Sequence, residues 1–366
     1  MTDDGHPGDD VTAAAVSGTV LSGTGGVWRV LGDDGAVREA SLRGRLKKSG
    51  EGRRTDGSMR RDTVAAADRV LKLAVGDRVV LDPDARAGGG PQGAWAIDDI
   101  LPRRGKLARR VPGGGYGERI VAANVDQVVV VFAAARPDPH PRMLDRFLLV
   151  AEANDLAARV VINKCELAGG GDAERGAAVV RARFGAYEAA GYALHATSVA
   201  TGYGLDALRD ALLGRTSALT GPSGVGKSSL MNALFPGLDL RVGEISESVN
   251  KGRHTTVGAL LHPLPVARGE PLGDRGTLGP AGGFVVDTPG LREVGLWGLP
   301  VERLDACFPE FRPYLGECRF ADCAHGTEPD CAVRGAVGAG RVSAERYESY
   351  RKLRQEAEEG TPPEWA

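Results

Sequence analysis

Eight residues, Gly221-Pro222-Ser223-Gly224-Val225-Gly226-Lys227-Ser228, have the G-x-x-x-x-G-K-S spacing of a loop that wraps phosphate. Its glycines let successive backbone N–H groups converge on an anion. The Lys227 ammonium would reach the β- and γ-phosphates of a nucleotide, and the Ser228 hydroxyl would ligate Mg²⁺. Ser217-Ala218-Leu219-Thr220 before the loop reads as a strand, and Lys227 to Phe235 reads as a helix whose N-terminus favours negative charge.

A second group concerns a base. In Asn163-Lys164-Cys165-Glu166 a carboxylate stands at the fourth position, where it can accept both the N1–H and the N2–H₂ of guanine, a donor pair that adenine lacks. Aspartate is usual there, and Glu166 adds one methylene. Thr197-Ser198-x-x-Thr201-Gly202-x-Gly204-Leu205 would support the base with backbone and hydroxyl groups. Both segments precede the phosphate loop, whereas in an ordinary GTPase they follow it.

Downstream, Asp287-Thr288-Pro289-Gly290 is suited to hold Mg²⁺ through water and to sense a γ-phosphate through the Gly290 N–H. In Lys251-Gly252-Arg253-His254-Thr255-Thr256, either Thr255 or Thr256 would complete the Mg²⁺ shell. Leu291 stands where a Ras-like enzyme carries a water-orienting Gln, so slow hydrolysis is expected unless another group orders the water. His254 can polarise water; equally it reads as an ordinary loop residue. Lys227, His254 and Asp287 form the expected catalytic set.

Cys318-x₄-Cys323-x-His325-x₅-Cys331 supplies three thiolates and one imidazole, a complete tetrahedral Zn²⁺ set with no place left for water. One structural zinc ion per chain is expected. Cys165 and Cys307 lie outside this spacing and read as core or spare thiols.

These groups need elements to hold them. Short alternating runs such as Gly18 to Leu21, Val27 to Leu31, Asp77 to Leu81 and Ala94 to Ile97 predict a small β-barrel over 16–101. A basic linker is expected over 102–118. From 119 to 298 β-branched runs (Gln127 to Phe132, Ala158 to Ile162, Gly283 to Asp287) alternate with helical patterns (Arg142 to Asn154, Leu205 to Leu213), the signature of an α/β domain with a buried parallel sheet. The 299–366 region is poor in apolar residues until Ser343 to Glu359, where Tyr347, Tyr350 and Leu353 share a helical face. It therefore reads as a small module stapled by its metal. Because the γ-phosphate-sensing loop runs almost directly into this module, movement at the phosphate is expected to re-aim it.

With 42% hydrophobic and 26% charged residues the chain is ordinary globular material, and no apolar run approaches the roughly 20 residues that span a bilayer. The acidic stretch 1–10 lacks the apolar core of a secretory signal. A cytoplasmic monomer with a disordered tail over 1–15 is expected. The formal net charge of −2 hides basic clusters in Arg43 to Arg61 and Arg103 to Arg119, where nucleic-acid phosphates would bind, although a solvated charged loop fits the first cluster equally. No function is assigned to 265–282.

The order N-K-x-E, T-S-x-x-T-G-x-G-L, G-P-S-G-V-G-K-S, K-G-R-H-T-T, D-T-P-G-L resembles that of the circularly permuted GTPases. With a barrel before it and the C-x₄-C-x-H-x₅-C set after it, the chain is similar to the small ribosomal subunit biogenesis GTPase RsgA family. Arg119 to Asp126 and Asp145-Arg146-Phe147-Leu148 are further matching stretches. The resemblance implies an OB-fold barrel, a permuted GTPase domain and a zinc-bearing C-terminal domain with a helix. It also implies action late in maturation of the small (30S) ribosomal subunit, near the decoding centre on 16S rRNA, with GTP hydrolysis stimulated by that subunit. On this resemblance Gly224 to Ser229 contact phosphate, Asn163, Lys164 and Glu166 contact the base, and Cys318, Cys323, His325 and Cys331 hold zinc. Two other readings remain open on residues alone: a nucleotide-regulated single-strand nucleic-acid binding module, and a P-loop kinase for a small molecule, for which the guanine-reading segments would have no role.

Overall fold

The computed structural model describes residues 15–43, 46, 73–83, 95–110, 118–238, 240, 259–265, 282–287 and 301–359. His254, Thr255, Thr256, Gly290, the 1–14 tail, the bulk of the Arg43–Arg61 cluster and nearly all of 265–282 lie outside these residues. The chain divides into two compact units, Met1–Arg103 and Arg104–Ala366.

In the first unit, β1 (Val16–Thr24), β2 (Val27–Gly32), β3 (Val37–Leu42), β4 (Arg78–Pro83) and β5 (Trp95–Ile100) close into a barrel of order β1-β2-β3-β5-β4. β1 lies antiparallel to both β2 and β4, and β3 lies parallel to β5. This is an OB-like arrangement. Val20, Val30, Ala40, Val79, Leu81, Trp95 and Ile97 fill it, alternate residues of each strand turning inward. A Cβ at Gly23 would sit 2.3 Å from the Trp28 ring, so only glycine lets that indole lie on the strand. Asp77, fully buried, accepts from Arg103 Nε at 2.6 Å and from the Ala74 N–H at 2.7 Å, and so ties the barrel's end to β4.

The second unit opens with a hairpin, β6 (Lys106–Arg110) against β7 (Glu118–Ala123). The first of these strands, Lys106–Arg110, falls within the basic stretch expected as a linker over 102–118. Its Arg, Lys and Gly content looks loop-like, but Leu107 and Ala122, paired across the ladder, are both fully buried.

A six-stranded sheet follows. β8 (Gln127–Ala133), α1 (Pro141–Ala153), β9 (Ala157–Asn163), α2 (Cys165–Ala168), α3 (Ala173–Ala189), β10 (Ala193–Ala196), α4 (Leu205–Leu212), β11 (Thr216–Thr220), α5 (Lys227–Leu234), β12 (Leu260–Pro263) and β13 (Phe284–Asp287) come in that order. The sheet order is β10-β9-β8-β11-β13-β12, parallel except for β12. Every residue of β8 and β11 is buried, as strands covered on both faces require. The chain runs outward from β8 to β10, then returns to place β11 on the other side of β8. The crevice at the carboxyl ends of β8 and β11 is thus a topological switch point, where ligands bind in open α/β sheets.

After three short 3₁₀ turns, Val301–Arg303, Asp305–Cys307 and Pro309–Tyr314, come α6 (Ala332–Gly338) and α7 (Ala344–Glu359). They fall within the second compact unit, Arg104–Ala366, together with the sheet. Leu149 of α1 is buried in one cluster with Leu304, Phe308, Phe311, Val333, Tyr350 and Leu353. The Phe308 and Phe311 rings stack at 5.1 Å, and Tyr350 meets both. The module therefore has an aromatic core completed by α1, and metal is not its sole staple.

Arg346 of α7 is the centre of this docking. Only 3% exposed, it donates to Asp145 of α1 at 2.5 Å and to Glu310 at 2.7 Å, and its guanidinium lies over the rings of Phe308, Tyr187 and Tyr192. Burial alone would lower its pKa; Asp145 and Glu310 reverse that and hold it well above the usual arginine range. Arg146 and Arg142 of α1 reach Glu356, and Arg312 reaches Glu152. The module is docked along the length of α1 by these pairs.

Candidate functional site

β11 ends at Thr220, and the chain turns at Gly221 with φ +134°, where a Cβ would lie 2.0 Å from the Val131 carbonyl of β8. Gly224 and Gly226 also have positive φ, so the loop folds back on itself before α5 begins at Lys227. Val225 is fully buried and plugs the loop into the core beneath. Lys227 Nζ donates to the carbonyls of Gly221 at 2.8 Å and Pro222 at 2.6 Å, which parks the ammonium across the mouth of the loop. Ser228 opens the helix beside it. The backbone N–H groups of the first turn have no partner within the helix, and that end carries its positive dipole.

The segments expected to read a base meet this loop in space. Asn163, at the end of β9, is buried; its Nδ2 donates to the Val225 carbonyl at 3.0 Å, and its Oδ1 accepts from Thr197 Oγ1 at 3.2 Å. One carboxamide therefore ties three loops together. Lys164, in a left-handed conformation, spans the carbonyls of Arg136 and Gly224, both at 2.6 Å. The Ser198 hydroxyl caps the following turn by accepting from the Thr201 N–H. A Cβ at Gly204, which caps α4, would fall 2.2 Å from the Ala196 carbonyl.

Glu166 stands in the first turn of α2, and among the described residues its Oε2 is buried and has no hydrogen-bond partner. An acceptor withdrawn from water without a donor is costly, and guanine's N1–H and N2–H₂ are donors of the right kind. Cys165 beside it is buried, its thiol donating to the Ala173 carbonyl at 3.7 Å and pushed up by burial. Asp287 ends β13 in register with Leu219 of β11, next to the phosphate loop. His262 on β12 is kept below its usual pKa by burial, partly offset by the Asp287 charge. Of the expected catalytic set, Lys227 and Asp287 thus come to one sheet edge, while His254 is outside the described residues.

The thiols of Cys318, Cys323 and Cys331 and a ring nitrogen of His325 all lie within 4.8 Å of one another. Cys318 Sγ is 3.9 Å from Cys331 Sγ, and His325 Nδ1 is 3.5 and 3.4 Å from those two sulfurs. A tetrahedral ion with bonds of about 2.3 Å to sulfur and about 2.0 Å to nitrogen requires edges of roughly 3.8 and 3.5 Å. The donor set fits zinc. Burial raises the Cys318 thiol, but N–H groups of Ala332 and Val333 bring it below its usual value; Cys323 is pushed up to about 12 by burial and by its neighbouring sulfurs. Burial lowers His325, yet Asp305 and the Cys331 sulfur carry it up to about 9. Neighbouring sulfurs disfavour thiolates side by side, and a bound divalent ion would reverse that and hold all three as thiolates. The Tyr347 hydroxyl donates to the His325 carbonyl and the Tyr350 hydroxyl to that of Ala324, tying the loop to α7.

A phosphate loop, a base loop strung ahead of it in sequence, and an acidic strand end behind it define a circularly permuted P-loop GTPase. The family model described as RsgA GTPase matches residues 100–297. The protein named small ribosomal subunit biogenesis GTPase RsgA from Gemmatimonas aurantiaca is 58% identical over 342 residues, covering 93% of this chain and 97% of that protein. The protein of the same name from Pseudomonas aeruginosa is 41% identical over 281 residues, 77% of this chain and 75% of its own. The crystal structure of YjeQ from Thermotoga maritima superposes with a TM-score of 0.66 at 31% identity, covering 94% and 98% of the two chains. That of YloQ, described as a circularly permuted GTPase, superposes with a TM-score of 0.65 at 25% identity, covering 97% and 99%. The chain belongs to the RsgA GTPase family and is a GTP-hydrolysing enzyme. Among the described residues no helix is long and apolar enough to cross a membrane.

Sequence reasoning missed Asp145, Glu310, Arg346 and Asp305. The Asp145-Arg146-Phe147-Leu148 stretch marked the first of them, but nothing local to it says that its partner lies in the last helix.

Proposed function

We propose that this chain is a maturation factor of the small (30S) ribosomal subunit, a cytoplasmic monomer that binds 16S rRNA near the decoding centre and hydrolyses GTP when the subunit stimulates it. The observation that carries this reading is the 58% identity, over 93% of the chain, to a protein named for that role. The barrel and the exposed basic residues Arg104 and Lys106 would meet rRNA phosphates, with affinity falling steeply as salt rises.

In this reading the loop from Gly221 to Ser229 cradles the phosphates and Lys227 neutralises charge that develops on them. Glu166 reads the guanine edge; Asn163, Lys164, Thr197 and Ser198 hold the base pocket against the phosphate loop. Ser228, Asp287 and one of Thr255 and Thr256 would hold Mg²⁺, which when bound neutralises phosphate charge and orients the γ-phosphoryl group. Gly290 senses the γ-phosphate and His254 orders water. Cys318, Cys323, His325 and Cys331 hold one structural Zn²⁺.

The deciding assay is GTP hydrolysis with and without purified small subunits. Stimulation by small subunits is expected. Stimulation by free oligonucleotides with none by subunits would move the reading to a single-strand binding module, and ATP competing equally with GTP would revive the kinase.

Glu166 has its own test. Glu166→Gln replaces an acceptor by an amide whose N–H₂ opposes the guanine N2–H₂ but complements the 2-carbonyl of xanthine. GTP affinity is expected to fall at least ~10-fold, about the 1.5–3 kcal/mol of a charged hydrogen bond, while xanthosine triphosphate gains. Unchanged discrimination between the two nucleotides would remove Glu166 from the base site.

A further inference from the structure

The His325 ring is held from outside the Cys/His cluster as well as from within it. On the cluster side, Nδ1 faces the sulfurs of Cys318 and Cys331. On the far side, Nε2 lies 3.3 Å from Asp305 Oδ2. Asp305 Oδ1 accepts from the Ala306 N–H at 2.7 Å, which fixes the carboxylate's own rotation. The residue itself sits at φ +58°, an uncommon conformation for histidine, and its ring edge rests on Phe311. Among the described residues one carboxylate hydrogen-bonds the ring, and it comes from the 3₁₀ turn Asp305–Cys307, the stretch of chain between β13 and the metal loop.

We propose that Asp305 is the positioning residue of the metal centre: it holds the proton on His325 Nε2, and thereby presents the Nδ1 lone pair to the ion. A neutral imidazole carries one N–H and one lone pair, and the partner of one nitrogen decides what the other offers. An anionic acceptor at Nε2 also makes Nδ1 a stronger donor to a metal, and losing such a partner costs about 10–100-fold in metal affinity. Because position 305 lies on the chain arriving from the γ-phosphate strand, one hydrogen bond joins that segment to the metal loop. The inference rests on the zinc reading of the four ligands.

The test uses the full-length chain, native and as Asp305→Ala and Asp305→Asn, with Zn²⁺ affinity measured by competition against a chelating dye and geometry read from the visible spectrum of the Co²⁺-loaded protein. Native protein is expected to bind one equivalent. Asp305→Ala is expected to bind about 10–100-fold more weakly with altered Co²⁺ bands. Asparagine keeps an acceptor of the same shape, so Asp305→Asn is expected to lose less affinity than Asp305→Ala. Native affinity and spectrum in the Ala variant overturn the proposal, as does an Asn variant no better than Ala. Failure of the native chain to bind Zn²⁺ overturns the metal reading itself.

Discussion

Lys227→Ala is expected to lower GTP turnover by at least ~100-fold, the scale on which a single pre-aimed electrostatic donor acts in a transition state. The ammonium hangs between the Gly221 and Pro222 carbonyls, so it is already poised at the rim of the loop and needs little rearrangement to meet a phosphate. Its removal leaves Val225 in the core and Asn163 on the Val225 carbonyl, and the loop should keep its shape. Phosphate release, measured with and without small subunits, should collapse in both arms, with the melting temperature within a few degrees of native. Turnover within ten-fold of native would remove Lys227 from the catalytic machinery.

Arg346→Met carries the largest expected effect on stability. A cation 3% exposed faces Asp145, 1% exposed, and Glu310, 8% exposed. Deleting it strands two carboxylates in a dry site, which costs about 3–5 kcal/mol. At about 2–4 °C per kcal/mol for a unit of this size, the melting temperature should fall by roughly 6–20 °C. Arg346→Lys should recover only part of this, because the two guanidinium nitrogens on Glu310 are a fork that an ammonium cannot reproduce. Replacing all three charged residues by apolar ones of similar volume should restore much of the loss, as buried ion clusters have net contributions far smaller than the cost of breaking them. A melting temperature within 2 °C of native for Arg346→Met would contradict this account.

The parts of the site that sequence made legible are those whose chemistry is written in local spacing. Gly221 to Ser228 and Cys318 to Cys331 each carry their geometry within a few residues, because a loop around phosphate and a tetrahedron around zinc both demand close, fixed intervals. Glu166 stood out as a candidate base reader for the same reason, whereas the work of Asn163 did not: its bonds to Val225 and Thr197 depend on β9 and β11 being brought to one sheet edge. The β6–β7 hairpin was hidden by composition, since glycines and arginines signal a loop even when Leu107 and Ala122 face a core. Arg346 was the least legible residue of all. In Glu345-Arg346-Tyr347-Glu348 it reads as one more solvated charge on a charged helix, and only the docking of α7 on α1 shows that it points inward.

Asp145 and Arg346 are 201 residues apart in the chain. At a synthesis rate of about 5–20 residues per second, α1 emerges roughly 10–40 s before the arginine that neutralises it. The permuted motif order is therefore also a timetable: the Asn163–Glu166 segment is made first, the phosphate loop second, and the helix that completes the packing of α1 last. A truncation after β13 would freeze the molecule at the stage where α1 still exposes an unpaired aspartate and the side of Leu149 that should meet the aromatic core.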